Sequence, residues 1–202
     1  MSFELTKKYT GYAFLYSEFS AEILELVTMI RQEQMPFYLY ETYRTPQRQK
    51  NLYARGYSKY RDPLSNPHVN GLAVDFLLNK SIITKLSSDS RDMSKIVSDS
   101  IAGMNMASQK NEVYNIGTNL LPSSGVMERT IVEDKNILNA WLKLGYMIDT
   151  KFPKLRWGGN KNKKPGQLIG SDPPQIEFYD MERLIKNKTA LKQIKAAGAP
   201  GL

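Results

Sequence analysis

One aspartate stands inside an otherwise apolar run, LAVDFLL from Leu72 to Leu78, and it constrains this chain more than any other residue. The run has the length and partly β-branched content of a strand. A carboxylate packed there is costly unless it is paired, hydrogen-bonded or metal-bound. Just upstream, in NPHVNG, lies the only histidine of the chain, His68, between Pro67 and a turn at Gly71. A histidine leaving that turn and Asp75 on the following strand can meet at one metal ion. A catalytic zinc takes about three protein ligands, neutral imidazole or carboxylate, and keeps one position open for water. The bland alternative is a packing or surface histidine beside a hydrogen-bonded carboxylate.

The elements around this pair follow from periodicity and punctuation. Phe19, Ile23, Leu26, Val27 and Ile30 recur at helical spacing behind Ser20, which predicts a helix over residues 20 to 34 with Ser20 as its N-cap. Pro36 stops it, and FYLYETY alternates as a strand does. Thr45 and Pro46 form an N-cap and first-turn pair for a helix that runs to a glycine cap at Gly56. YSKYRDPLSNP reads as loop. Residues 79 to 131, rich in Ser, Asn, Asp and Lys, read as an inserted helical or loop excursion on the surface. VEDKNILNAWLKLG predicts a helix ended by Gly145, KLRWGGNKNKKPG a basic glycine-rich loop, and PPQIEFYD a last strand. From Met181 the tail reads as one basic amphipathic helix that docks or frays.

Composition narrows the partners. The chain has 202 residues, suited to one domain with or without an appendage, and its 41% hydrophobic and 24% charged content is that of a globular protein. A net charge of +8 favours anionic partners: nucleic acid, an anionic lipid surface, or a bacterial wall rich in acidic polymers. No groove-reading or base-stacking module stands in the sequence, so nucleic acid is the weakest of these. The absence of cysteine excludes disulfides, thiolate metal sites and a thiol nucleophile. No stretch has the length of a membrane span, and the N-terminus lacks the features of a signal peptide.

Four blocks in order, YETYRTPQRQKNLYARG, NPHVNGLAVDF, RWGGN and DPPQIEF, resemble the D-alanyl-D-alanine carboxypeptidase and L-alanyl-D-glutamate endopeptidase family, zinc enzymes that cut peptidoglycan peptides and are common as phage endolysins. The resemblance spans residues 20 to 180, leaving 181 to 202 as a C-terminal appendage. It implies an α+β fold of the Hedgehog/DD-peptidase kind, a small antiparallel sheet carrying the metal site with helices packed on one side. The elements read above agree with that. It also implies that His68 and Asp75 are the first two zinc ligands, that Arg44 holds the substrate carbonyl and its developing charge, and that Asp172 is the general base. Trp157, Gly158 and Gly159 would line the substrate cleft, with the basic NKNKK where an aromatic often follows the glycines. The implied setting is a phage: the host cytoplasm before lysis, or the virion, with action at the bacterial wall.

Two positions depart from the family pattern. Its leading serine is Asn66, and its third zinc ligand, a histidine, is Gln175. A neutral amide oxygen is a poor zinc ligand beside imidazole, and the chain has no second histidine to recruit. Three outcomes are open. Gln175 ligates weakly, Glu177 on the same strand face takes its place, or the site holds no metal. The function expected is therefore a peptidoglycan-peptide metallopeptidase with zinc as cofactor, or an inactive descendant that binds wall peptide or serves as a structural or cargo part of a phage particle.

Overall fold

Alternation of side chains along four short strands sorts this chain onto two unlike faces of one sheet. The structure is a computed structural model, and it describes residues 7–79, 135–161 and 174–202. Its elements in chain order are α1 (Ser17–Gln32), β1 (Phe37–Glu41), α2 (Pro46–Ala54), two short 3-10 turns (Pro63–Ser65 and Pro67–Asn70), β2 (Ala73–Leu78), α3 (Lys135–Lys151), β3 (Leu155–Trp157), a third 3-10 turn (Gly158–Asn160), β4 (Gln175–Phe178), α4 (Met181–Lys186) and α5 (Thr189–Ala196). The strands pair antiparallel throughout, in the order β1-β2-β4-β3. The α+β class expected from the sequence is what the described residues adopt. No helix among them is long and apolar enough to cross a membrane.

One sheet face is apolar. Phe37, Val74, Phe76, Leu78, Leu155, Trp157, Ile176 and Phe178 form a single core with Phe19, Ile23 and Leu26 of α1 and Trp141, Leu144 and Ile148 of α3. Each large aliphatic or aromatic side chain buried this way stabilises the fold by about 1.5–3 kcal/mol relative to exposure. A smaller cluster joins the chain's two ends. Tyr9, Phe14 and Tyr43 meet edge to face beside Ile194 and Ala199, and the Tyr43 hydroxyl donates to the Pro200 carbonyl at 2.8 Å. Burial, with Tyr9 adding to it, pushes the Tyr43 phenol well above its ordinary pKa.

Several expectations are corrected. α1 begins a turn before the predicted start: Tyr16 is the N-cap without a side-chain bond, and the Ser20 amide already donates to the Tyr16 carbonyl at 2.7 Å. α3 runs through Gly145 instead of ending there. The segment read as a basic loop contains β3, which pairs with β4. The tail is two helices, broken at Lys188 in the left-handed region (φ 54°), and Leu184, Ala190 and Ile194 are buried. Other expectations hold: Thr45 caps α2 by accepting from the Arg48 amide, with Gly56 at φ 75° just past its end. The insertion read at 79 to 131, Asn79 apart, lies outside the described residues.

Gly71 closes the turn behind His68 at φ 63°. Its carbonyl accepts from the Tyr16 amide at 2.9 Å, and a Cβ added to it would stand 2.4 Å from the Phe14 carbonyl oxygen. Gly71→Ala therefore meets both a left-handed backbone penalty and a backbone clash. The expected loss is roughly 2–4 kcal/mol in a urea unfolding curve, and a loss below half a kcal/mol would show that the N-terminal segment does not seat on this turn.

Candidate functional site

The other sheet face is polar, and a β-bulge makes it so. Leu39 pairs with Phe76 and Glu41 with Asp75, so Tyr40 is an extra residue on β1. Strict alternation would turn Glu41 toward the core. The added residue reverses that parity and aims it at the opposite face. Asp75 in turn pairs with Gln175, so Glu41, Asp75 and Gln175 form one row across three strands. The adjacent row holds Ala73, Glu177 and Arg156.

Glu41 is fully buried and gathers two guanidinium groups. Arg44 donates to its Oε2 through Nη2 at 2.6 Å and through Nε at 3.2 Å, and Arg48 Nε donates to its Oε1 at 2.7 Å. Arg44 Nη1 also donates to Gln49 Oε1 at 3.1 Å. Gln49 is held in turn, donating to the Ser58 hydroxyl at 2.6 Å and the Tyr60 carbonyl at 3.1 Å. Burial alone would raise the Glu41 pKa, but the charge and hydrogen bonds of Arg44, with Arg48 and His68 adding, outweigh it and hold the carboxyl down at about 2. Carboxylate and cations are thereby fixed as charged groups in a buried place.

His68 sits at the edge of this network. Asn66 caps its 3-10 turn by accepting from the His68 amide at 2.8 Å, a task that serine and asparagine share. Asn70 ties the loop by donating to the Leu64 and Asn66 carbonyls at 2.7 and 2.9 Å. The His68 Nδ1 lies 3.1 Å from the Thr42 carbonyl oxygen. A carbonyl only accepts, so Nδ1 carries the hydrogen and the lone pair of a neutral ring falls on Nε2. Nε2 stands 3.4 Å from Asp75 Oδ1, and Arg44 Nη2 stands 3.6 Å from Asp75 Oδ2. Two lone-pair atoms face each other there, and either a proton or a metal ion can bridge them. Asp75 keeps its side chain 14% exposed, which leaves it reachable from solvent.

The β4 side is organised by Lys161. Its ammonium contacts Glu177 Oε1 at 2.5 Å and Gln175 Oε1 at 3.4 Å. Glu177 is buried beneath it. The loop that carries Lys161 is anchored twice. Asn160 donates to both carboxylate oxygens of Asp149 on α3 at 3.1 Å. Trp157 is clamped between two glycines, since a Cβ on Gly145 would come within 2.1 Å of its ring and one on Gly159 within 2.2 Å.

The predicted site residues thus fall as follows. His68, Asp75 and Arg44 converge, and Gln175 stands opposite Asp75. Arg44 is first the partner of Glu41. Glu177 is on the expected face but serves Lys161. Trp157 faces the core, 2% exposed, with Gly158 and Gly159 buried beside it. Asp172 lies outside the described residues. Sequence reasoning missed Glu41, Arg48, Gln49 and Lys161. A carboxylate three residues before Arg44 and an arginine four after it were visible signals, but the bulge that joins them was not.

Zinc can be tested against these donors. Two ligand atoms about 2.0–2.1 Å from a tetrahedral zinc stand about 3.3–3.4 Å apart, which the His68–Asp75 separation meets. For a third position, Gln175 Oε1 and Glu177 Oε1 are each in contact with the Lys161 ammonium, and among the described residues no three His, Cys, Asp or Glu side chains are grouped to hold a metal. Comparison of the chain with protein-family models, curated proteins and solved structures found no match.

Proposed function

We propose that this protein binds the stem peptides of bacterial peptidoglycan over the polar face of its sheet, as a metallopeptidase-like protein of phage origin, carried in a virion or released at the wall. The convergence of His68, Asp75 and Arg44 within 3.6 Å, on a face given its polarity by a bulge, is the observation that carries this reading. Ordinary packing has no need of it. The net charge of +8 favours an acidic wall. Zinc hydrolysis takes three protein ligands, whereas peptide binding asks only for the polar groups that His68, Asp75 and Arg44 bring together. In it, Asp75, reachable from solvent, accepts a peptide N–H group, and the buried His68 and Arg44 behind it hold its carboxylate in place.

A second reading is hydrolysis, favoured by the placement of Gln175 directly across from Asp75. His68, Asp75 and the Gln175 oxygen would then hold the metal, which supplies a polarised carbonyl and an activated water.

One set of titrations separates the two. The parent is expected to bind a purified stem peptide in calorimetry, and Asp75→Ala to lose at least tenfold in affinity, without wall lysis by either protein in added zinc. Lysis by the parent that disappears with His68→Ala and with a chelator makes hydrolysis the function. A parent that neither binds the peptide nor lyses walls ends both readings.

A further inference from the structure

We propose that Lys161 is the resident cation of this site, and that it sets the affinity for divalent metal by occupying the donor side that a third ligand would complete. The inference rests on the peptidase-like reading of His68 and Asp75, and it concerns what stands at the donors beside that pair.

Position comes first. Lys161 stands at the end of the turn after β3, and its ammonium reaches across to β4 to meet Glu177 at 2.5 Å and Gln175 at 3.4 Å. Gln175 is the cross-strand partner of Asp75, so the ammonium stands beside the row that carries the metal-type donors. A divalent ion on His68 and Asp75 would need the Gln175 oxygen, which Lys161 already engages. Recruiting Glu177 instead would break its ion pair with Lys161 and leave an ammonium next to the metal.

Charge points the same way. Among the described residues, ion pairs on this face join Glu41, Asp75 and Glu177 to Arg44, Arg48 and Lys161. Arg156, opposite Glu177 in register, is solvent-exposed. A dication on His68 and Asp75 is repelled by the Lys161 ammonium in a partly buried place, which is costly. Removing the ammonium removes that repulsion and releases the Gln175 and Glu177 oxygens it contacts. The lysine is also held in place: Asn160 is tied to Asp149, and Trp157 is clamped by Gly145 and Gly159. These contacts fix the backbone that carries Lys161, and its half-buried side chain reaches Glu177 and Gln175 from there.

The test compares four full-length proteins: the parent, Lys161→Met, Gln175→His, and the two changes combined. Zinc affinity is measured by competition with a chromophoric chelator, and zinc content by elemental analysis after dialysis. The combined variant is expected to hold about one zinc per chain, 10- to 100-fold more tightly than Gln175→His alone, the range that groups just outside a metal's ligands usually command. Lys161→Arg in the Gln175→His protein keeps the cation and should keep the weaker affinity. Lys161→Met leaves the Glu177 carboxylate unpaired, so the same comparison is repeated with Glu177→Gln, where no buried charge is stranded. Equal zinc affinity with and without Lys161, in both backgrounds, overturns the proposal, as does a parent that already holds one zinc per chain with Lys161 in place. Stem-peptide binding by the parent is scored separately. Its absence beside a lysine-dependent zinc affinity sinks the peptide reading alone, and its presence beside a lysine-independent one sinks this inference alone.

Discussion

Glu41→Ala is expected to cost about 3–5 kcal/mol in stability, the range for breaking a buried ion pair by removing one partner. The reason is what it leaves behind. Arg44 and Arg48 are 6% and 8% exposed, and both donate to this one carboxylate. Without it, Arg48 keeps its desolvation cost and loses the carboxylate that offsets it, and Arg44 loses its nearer carboxylate and keeps Asp75 at 3.6 Å. Glu41→Gln retains the shape and still removes the charge, so it should recover only part of the loss. Urea unfolding at neutral pH checks both variants, and a cost under 1 kcal/mol for Glu41→Ala would mean that the arginines find water or other acceptors at little expense.

The same residue predicts an acid limb. Its folded pKa of about 2 lies below the ordinary value of 4.5, so at low pH the unfolded chain takes up the proton first. The stabilisation is present in full above about pH 4.5 and is lost as pH falls from there through about 2. A shift of that size corresponds to about 3 kcal/mol at about 1.4 kcal/mol per pKa unit. Unfolding free energy of the parent should fall across this window more steeply than that of Glu41→Gln. Parallel curves would remove Glu41 as the source of acid sensitivity.

Trp157→Ala is expected to cost a further large amount, about 3–5 kcal/mol for a buried aromatic. The indole is 2% exposed and packs in the main core, and the two glycines that flank it cannot grow into the space it leaves. A thermal unfolding scan measures the loss. The variant should also weaken whatever Lys161 controls, since the turn that follows Trp157 would lose its anchor. Trp157→Phe, smaller but apolar, should fall between the two. An alanine variant as stable as the parent would show that the flanking glycines close over the cavity.

How far the sequence revealed all this depended on the range of each cause. Local causes were legible. Thr45 and Pro46 announced the start of α2, alternation announced β1, an apolar run of strand length announced β2, and the apolar stripe announced α1, although its start was missed because Tyr16 caps it without a side-chain bond. Distant causes were not legible. Gly145 has the look of a helix end, but its reason is the indole of Trp157, which meets it only in the folded chain. β3 is three residues long and owes its extended form to pairing with β4. In the site, the short span from His68 to Asp75 was readable as a unit. Glu41 was hidden by a bulge with no local signature, and the lysine beside Gln175 looked like part of a solvated basic loop.

The strand order sets a timetable for synthesis. β2 is an inner strand, and its two neighbours arrive at very different moments. β1 has already been made when β2 emerges, whereas the Gln175 that pairs with Asp75 comes 100 residues later. At about 5–20 residues per second on the ribosome, one edge of β2 waits roughly 5–20 seconds for its partner. That edge carries the apolar residues Val74 and Phe76 on one side, the kind of open strand that invites pairing with another chain. A nascent-chain crosslinker placed at Val74 should therefore capture chaperones or neighbouring nascent chains until β4 has left the ribosome, and little afterwards.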